Sequence, residues 1–264
     1  MSAVSQPYTS IDQLGRKVTL PNPPIRIVSV VPSQTELLFD LGLADSIVGV
    51  TWFCIHPKEA KSKVQIGGTK NLKLDKIASL NPDLIIANKE ENDQAQIEWL
   101  VERFPVWISD IKTLDHAVNM IGSVSEITGK TPEGESIISQ IEASFNNFLP
   151  SKNLKTLYLI WREPYMAVGA DTFISHILEK CSLFNLAGSD SRYPEYSIED
   201  IKALNPELIL LSSEPFPFKE KHINELKVHL PNADIRLVDG EMFSWYGSRL
   251  IKAGQYLKDF VSSL

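Results

Sequence analysis

The sequence predicts an α/β protein made of two similar lobes with largely parallel sheets. Three observations predict it. Short continuous apolar runs alternate with segments of helical periodicity in both halves of the chain. One unit is used twice: residues 74–86 read LDKIASLNPDLII and residues 198–210 read IEDIKALNPELIL, at a constant offset of 124 positions in a chain of 264. Two copies so far apart are not a solenoid, which stacks several short repeats in tandem. Finally, no strand pattern occurs between residues 110 and 153, so two successive helices connect the halves. The expected organisation is a Rossmann-like lobe at 1–112, a helical connector at 113–150 and a second lobe at 151–264.

Both copies of the repeat read as helix, sharp stop and buried strand. Apolar residues at 74, 77, 78 and 80, and at 198, 201, 203 and 204, give a short helix one buried face. Asn81-Pro82 and Asn205-Pro206 stop it, because proline lacks an N–H and pushes the preceding residue out of the helical region. Residues 84–87 and 208–211 are uninterruptedly apolar, as in a strand covered on both faces. Asp75 and Glu199 share a place in the first helical turn. One reading is that they complement the helix dipole. The other, raised by the match, is a pair of acidic knobs for a symmetric partner.

In chain order, residues 9–20 predict a β-hairpin with Gly15 at its turn. Residues 25–31 predict a buried strand. Ser33 is a good N-cap for the next helix, and Glu36 completes a capping box. That helix ends at Gly42. A strand follows at 47–51, then a long connection with a Gly67-Gly68 turn. After the first repeat come a helix at 92–104, a strand at 106–109 and a helix at 114–128. Thr131-Pro132-Glu133 opens a further helix, with Ile137, Ile138, Ile141, Phe145 and Phe148 at helical spacing. The second half offers strands at 154–161 and 166–168, a helix at 172–180, the second repeat, a helix at 219–230, a strand at 235–238 and a terminal helix at 247–264.

Composition excludes several functions. The net charge of −7 and the pI near 5.3 leave no basic stripe for nucleic acid. No apolar run reaches the length of a membrane-spanning helix. The start, residues 1–10, has neither the basic nor the apolar region of a signal peptide, which predicts a cytoplasmic chain or a trimmed one. Two cysteines make no disulfide framework. There is no phosphate-binding glycine loop and no nucleophile elbow around Ser33, whose flanking glycines are missing. Cys54-Ile55-His56 offers a thiolate and an imidazole for a metal-dependent enzyme, or simply a loop held by a buried cysteine. Aromatic residues are the stronger signal: Trp52, Phe53, Trp161, Tyr165, Tyr193, Tyr196, Phe243, Trp245 and Tyr246 mostly follow strands, with Arg162, Arg192 and Arg249 nearby. Those positions line the ligand crevice of open α/β sheets, and they equally serve core packing.

Together, IDQLGRKVTLP, RIVSVVPSQTELLFDLGL, IVGVT and the LNPDLIIA unit resemble the substrate-binding proteins of ABC importers for cobalamin, ferric siderophores and haem. The resemblance covers nearly the whole chain. It implies two α/β lobes joined by one long helix, a monomer without enzymatic activity, and a periplasmic or cell-envelope location. It also implies a bulky metal chelate held between the lobes, any cobalt or iron belonging to the ligand rather than to a cofactor. By similarity, Asp75 and Glu199 match the acids that meet arginines of the permease dimer. Phe53, Tyr165-Met166 and Tyr193 match aromatic ligand contacts. Ser33, Arg162, Trp245 and Arg249 complete the expected binding set. Thr69 stands where such proteins carry a tryptophan, and Glu241 and Trp245 stand where cobalamin binders carry an acid and an arginine.

Overall fold

The computed structural model describes residues 8–146 and 153–264; Phe148 of the expected connector lies outside them. The chain divides into two compact units. The first takes residues up to Asp110, Asp115–Ala143 and the short segment Tyr246–Arg249. The second takes Ile111–Leu114, Ser144–Trp245 and Leu250–Leu264.

The first unit opens with an antiparallel hairpin, β1 (Tyr8–Ile11) and β2 (Lys17–Leu20). Gly15 makes its turn with φ at +79°, a value that a side chain disfavours. Asp12 braces the turn by accepting from the backbone N–H of Leu14 and Arg16 and from the Arg16 guanidinium. Then follow β3 (Ile27–Ser29), α1 (Pro32–Asp40), β4 (Ile47–Val50), β5 (Val64–Gln65), β6 (Gly67–Gly68), β7 (Asn71–Leu72), α2 (Leu74–Ser79), β8 (Leu84–Asn88), α3 (Gln94–Val101), β9 (Val106–Ser109), α4 (Leu114–Ile127) and α5 (Thr131–Phe145). The sheet runs β5-β4-β3-β8-β9 and is parallel throughout. Its strands are covered on both faces, so Leu84–Asn88 is buried at every position. Val28, Val30, Ile77, Ile85, Leu100 and Ile108 are among the buried core residues.

The second unit contains β10 (Lys155–Trp161), β11 (Tyr165–Ala167), α6 (Phe173–Lys180), β12 (Phe184–Asn185), β13 (Glu195–Tyr196), α7 (Ile198–Leu204), β14 (Leu208–Ser212), α8 (Glu220–His229), β15 (Asp234–Val238), α9 (Gly240–Ser244) and α10 (Leu250–Ser262). Its sheet runs β13-β11-β10-β14-β15, with β12 on β10. The β10, β12, β14 and β15 pairings are parallel, whereas β11 turns back antiparallel on β10 and carries β13 antiparallel beside it.

The two copies of the repeat fold alike. Each short helix is followed by an asparagine in the left-handed region, Asn81 at φ 45° just past the Leu80 cap and Asn205 at φ 49° as the cap itself, and the proline then leads into the central strand. Asparagine is one of the few residues with a side chain that tolerates this conformation. The next acid does the same work in each copy. Asp83 accepts from the N–H of Ile25 and Arg26 at 2.9 Å each, and Glu207 accepts from the N–H of Lys155 at 2.8 Å. Each thereby fixes the entrance of a neighbouring strand.

Three local expectations are corrected. Ser33 is not the N-cap of α1: the cap is Val31, without a side-chain bond, and Pro32 opens the helix. No capping box forms, because Glu36 points its carboxylate at Arg249 instead. Gly67-Gly68 is not a turn but a strand paired with Asn71–Leu72, and the turn falls on residues 69–70. The terminal helix does not start at Gly247; α9 comes first, a short stretch with a bend at Gly247 and a turn at 248–249 follows, and α10 begins at Leu250.

Candidate functional site

In open α/β sheets ligands bind beyond the carboxyl ends of the strands, where each unit presents its loops. In the first unit the loop after β4 carries Trp52 and Phe53, 51% and 54% exposed, their rings edge to face at 6.2 Å. The β6-β7 hairpin supports them. Trp52 donates its backbone N–H to the Gly67 carbonyl at 3.0 Å, and a Cβ at Gly68 would meet both rings at 3.1–3.2 Å. Asn92 holds the hairpin turn by donating to the carbonyls of Thr69 and Val30.

Beneath this pair lies Cys54, 1% exposed. Thr35 donates to its sulfur at 3.1 Å, and Thr51 lies at 3.2 Å. Burial pushes the thiol up, against the smaller opposing effect of these two hydroxyls. A protonated, enclosed thiol is neither a nucleophile nor a metal ligand. Among the described residues no three histidine, cysteine or carboxylate side chains group as a metal site.

Ser33 is 3% exposed in the first turn of α1, and Gly247 packs on it so closely that a Cβ would meet the Ser33 carbonyl at 2.9 Å. The segment Tyr246–Arg249 is bound into this unit at both ends. Tyr246 donates its hydroxyl to Glu91 at 2.6 Å, and burial, reinforced by that carboxylate, holds the phenol protonated. Arg249 makes a two-pronged pair with Glu36, Nε to Oε2 at 2.7 Å and Nη2 to Oε1 at 2.8 Å, both side chains under 10% exposed. Arg249 is therefore packed against a carboxylate inside the unit.

In the second unit a cavity of about 550 Å³ opens where β10 turns into β11. It is lined by Arg162, Glu163, Pro164, Tyr165, Glu195, Tyr196 and Ser197. Tyr165 and Tyr196 face each other as register partners across β11 and β13. Arg162 reaches Glu163 at 2.7 Å and Glu225 at 2.9 Å. Met166 sits half-buried in β11 between Trp161 and Glu195 of the flanking strands, and Tyr193 is half-buried just before β13. Trp161 is 40% exposed, its ring edge to face with Phe216 at 5.8 Å. Trp245 is buried, its indole N–H given to Glu214 at 3.0 Å, and Ser244 donates to the same oxygen at 2.8 Å.

Of the residues nominated from sequence, Arg162 and Tyr165 come together around one cavity, Phe53 is openly displayed, and Ser33, Trp245 and Arg249 are enclosed. Trp52, Tyr196 and Trp161 were visible as aromatics after strands. Glu163, Glu195 and Ser197 carried no local signal, because only the β11-β13 pairing brings them together. Asp75 and Glu199 are exposed in the first turns of α2 and α7, Glu199 with Lys202 at 2.8 Å.

The comparisons with known proteins decide what this arrangement belongs to. The family model described as "Periplasmic binding protein" matches residues 27–230. The chain belongs to the periplasmic binding protein family. This periplasmic binding protein is 26% identical over 205 residues to a vitamin B12-binding protein of Vibrio parahaemolyticus, covering 74% of each chain. It is 26% identical over 273 residues to an uncharacterised ABC transporter substrate-binding lipoprotein of Bacillus subtilis, covering 97% of this chain and 85% of the other. Among solved structures, the periplasmic heme-binding protein of Roseiflexus sp. in its apo form shares the fold, with a TM-score of 0.77 at 23% identity over 90% of this chain and 98% of that one. It is a substrate-binding protein and not an enzyme, so the metal-dependent reading of Cys54 and His56 falls. No helix among the described residues is long and apolar enough to cross a membrane.

Proposed function

We propose that this protein is the substrate-binding component of an ABC-type importer and that its cargo is a bulky metal chelate: a corrinoid, haem or a ferric siderophore. The observation that carries the reading is the pair Trp52 and Phe53, two large aromatics more than half exposed at the carboxyl end of a parallel sheet. Such exposure of apolar surface is expected where something else covers it. A macrocycle or aryl chelate does so by stacking on the rings, and the relatives' vitamin B12-binding and substrate-binding names support the same class. Arg162, Tyr165, Tyr193 and Met166 are the contacts offered by the second unit. The metal travels as part of the cargo, and the importer's permease is the partner, met through Asp75 and Glu199.

The test is direct. The protein is incubated with a corrinoid, with haem and with a ferric siderophore, desalted, and its visible spectrum recorded. One retained chromophore is the expected result, and three colourless samples would refute the cargo class. The variant Trp52→Ala/Phe53→Ala should weaken binding of the retained cargo about 30- to 150-fold, the loss of about 2–3 kcal/mol from the aromatic surface the cargo buries.

A further inference from the structure

The cavity between Arg162 and Ser197 has a charge pattern that narrows the cargo. Its volume of about 550 Å³ is ample for the edge of a macrocycle. Its lining carries one cation, Arg162, against two carboxylates, Glu163 and Glu195. The cation is already matched: one terminal nitrogen lies 2.7 Å from Glu163, the other 2.9 Å from Glu225 of α8, and Tyr165 accepts from the same guanidinium. Of the two tyrosines, Tyr196 has committed its proton, donating to Asp190 at 2.7 Å, and Tyr165 keeps its own. The lining therefore carries more oxygen acceptors, led by the carboxylates of Glu163 and Glu195, than free donors. The other arginine nominated for the ligand, Arg249, is bonded to Glu36.

Acceptor-rich walls pair with N–H groups and repel carboxylates. Resting on the reading that these strand-end residues hold the cargo, we infer that the Arg162–Ser197 cavity selects chelates edged with amides or amines and rejects the same ring edged with carboxylates. Glu163 and Glu195 are the specificity residues, and Arg162, besides offering a contact, holds Glu163 in place. This orders the three cargo classes: an amide-edged corrin fits, whereas a haem with free propionates does not.

The test uses matched pairs: cobinamide, whose corrin edge carries amides, against cobyrinic acid, the same ring with carboxylates, and haem against its bis-amide. Dissociation constants are read from quenching of tryptophan fluorescence at low and at high salt. The amide partner should bind at least about tenfold tighter at low salt, with the ratio shrinking as salt screens the carboxylates. In the variant Glu163→Gln/Glu195→Gln the ratio should fall towards one. Equal affinity, or a preference for the carboxylate partner in the unaltered protein, overturns the inference while leaving a metal-chelate cargo standing. An unchanged ratio in the double variant overturns the assignment to these two residues. Binding of neither pair removes the corrin and porphyrin cargo, and the inference with it.

Discussion

Glu36 and Arg249 stand 213 positions apart, yet they form the most enclosed ion pair described here, with side chains 8% and 7% exposed. Taking one partner away leaves a buried charge without its counterion, a loss of about 3–5 kcal/mol. Arg249→Met should cost about that much in urea unfolding, whereas Glu36→Leu combined with Arg249→Met should cost less than the single change. A double variant worse than the single one would show that the pair does not work this way. The same pair shows what a local reading of either residue could not see. From the local string, Glu36 looks like the third member of a capping box behind Ser33, and Arg249 like a ligand contact beside aromatics. Only a long-range contact reveals that each satisfies the other. Glu214 gives a second, pH-dependent case. Burial raises its carboxyl pKa above the ordinary 4.5, and the bonds from Ser244 and Trp245 oppose that only in part. A carboxyl with a raised folded pKa contributes its full stability below the unfolded value and loses it as pH rises through the folded one. Glu214→Gln keeps an acceptor for Trp245 and has no charge to bury. Its stability relative to the unaltered protein should therefore increase as pH rises from the ordinary carboxyl value of 4.5 through the raised one. Urea midpoints that stay parallel across this range would contradict the argument.

The elements show how far a repeat can be read. The helix, the stop and the buried strand were legible at 74–86 and 198–210 because apolar spacing and Asn-Pro are local signals. The hairpin turn at Gly15 and the end of α1 at Gly42, with φ at +75°, were legible for the same reason. The matched acids Asp83 and Glu207 were visible as a coincidence, but their work was not, since the N–H groups they accept from lie more than 50 positions away. Asp83 takes two backbone N–H groups and Glu207 one, all near the surface. At about 0.5–1.5 kcal/mol per net hydrogen bond, Asp83→Ala should cost about 1–3 kcal/mol and Glu207→Ala about half as much, read from thermal or urea unfolding. Equal losses would mean that the two copies are not held by these bonds. The β6-β7 hairpin shows the opposite failure. Gly67-Gly68 reads as a turn from composition, yet a Cβ on Gly67 would meet the Asn71 carbonyl at 2.4 Å, so glycine is needed there for close strand approach at φ +105°.

At the scale of the whole molecule, the net charge of −7 makes a basic partner favourable, and Asp75 and Glu199 give that attraction two defined points. Both acids are exposed, and neither braces a strand as Asp83 and Glu207 do. Lys202 sits beside Glu199, but an exposed pair of this kind contributes little to stability, so reversing the acid should leave the unit folded. A permease that docks through arginines should therefore sense each acid separately. Asp75→Lys and Glu199→Lys should each slow association and weaken docking about tenfold, with the double reversal multiplying the two losses because the sites lie on different units. Raising the salt should weaken the unaltered protein and spare the double reversal, since screening acts on the attraction that the variant has lost. Cargo affinity, read from the visible spectrum, should not change. The decisive measurement is binding to the permease in lipid discs at two ionic strengths. If the double reversal docks as the unaltered protein does, the acids serve only their helix dipoles. If the losses appear only when both are reversed, docking needs just one lobe at a time.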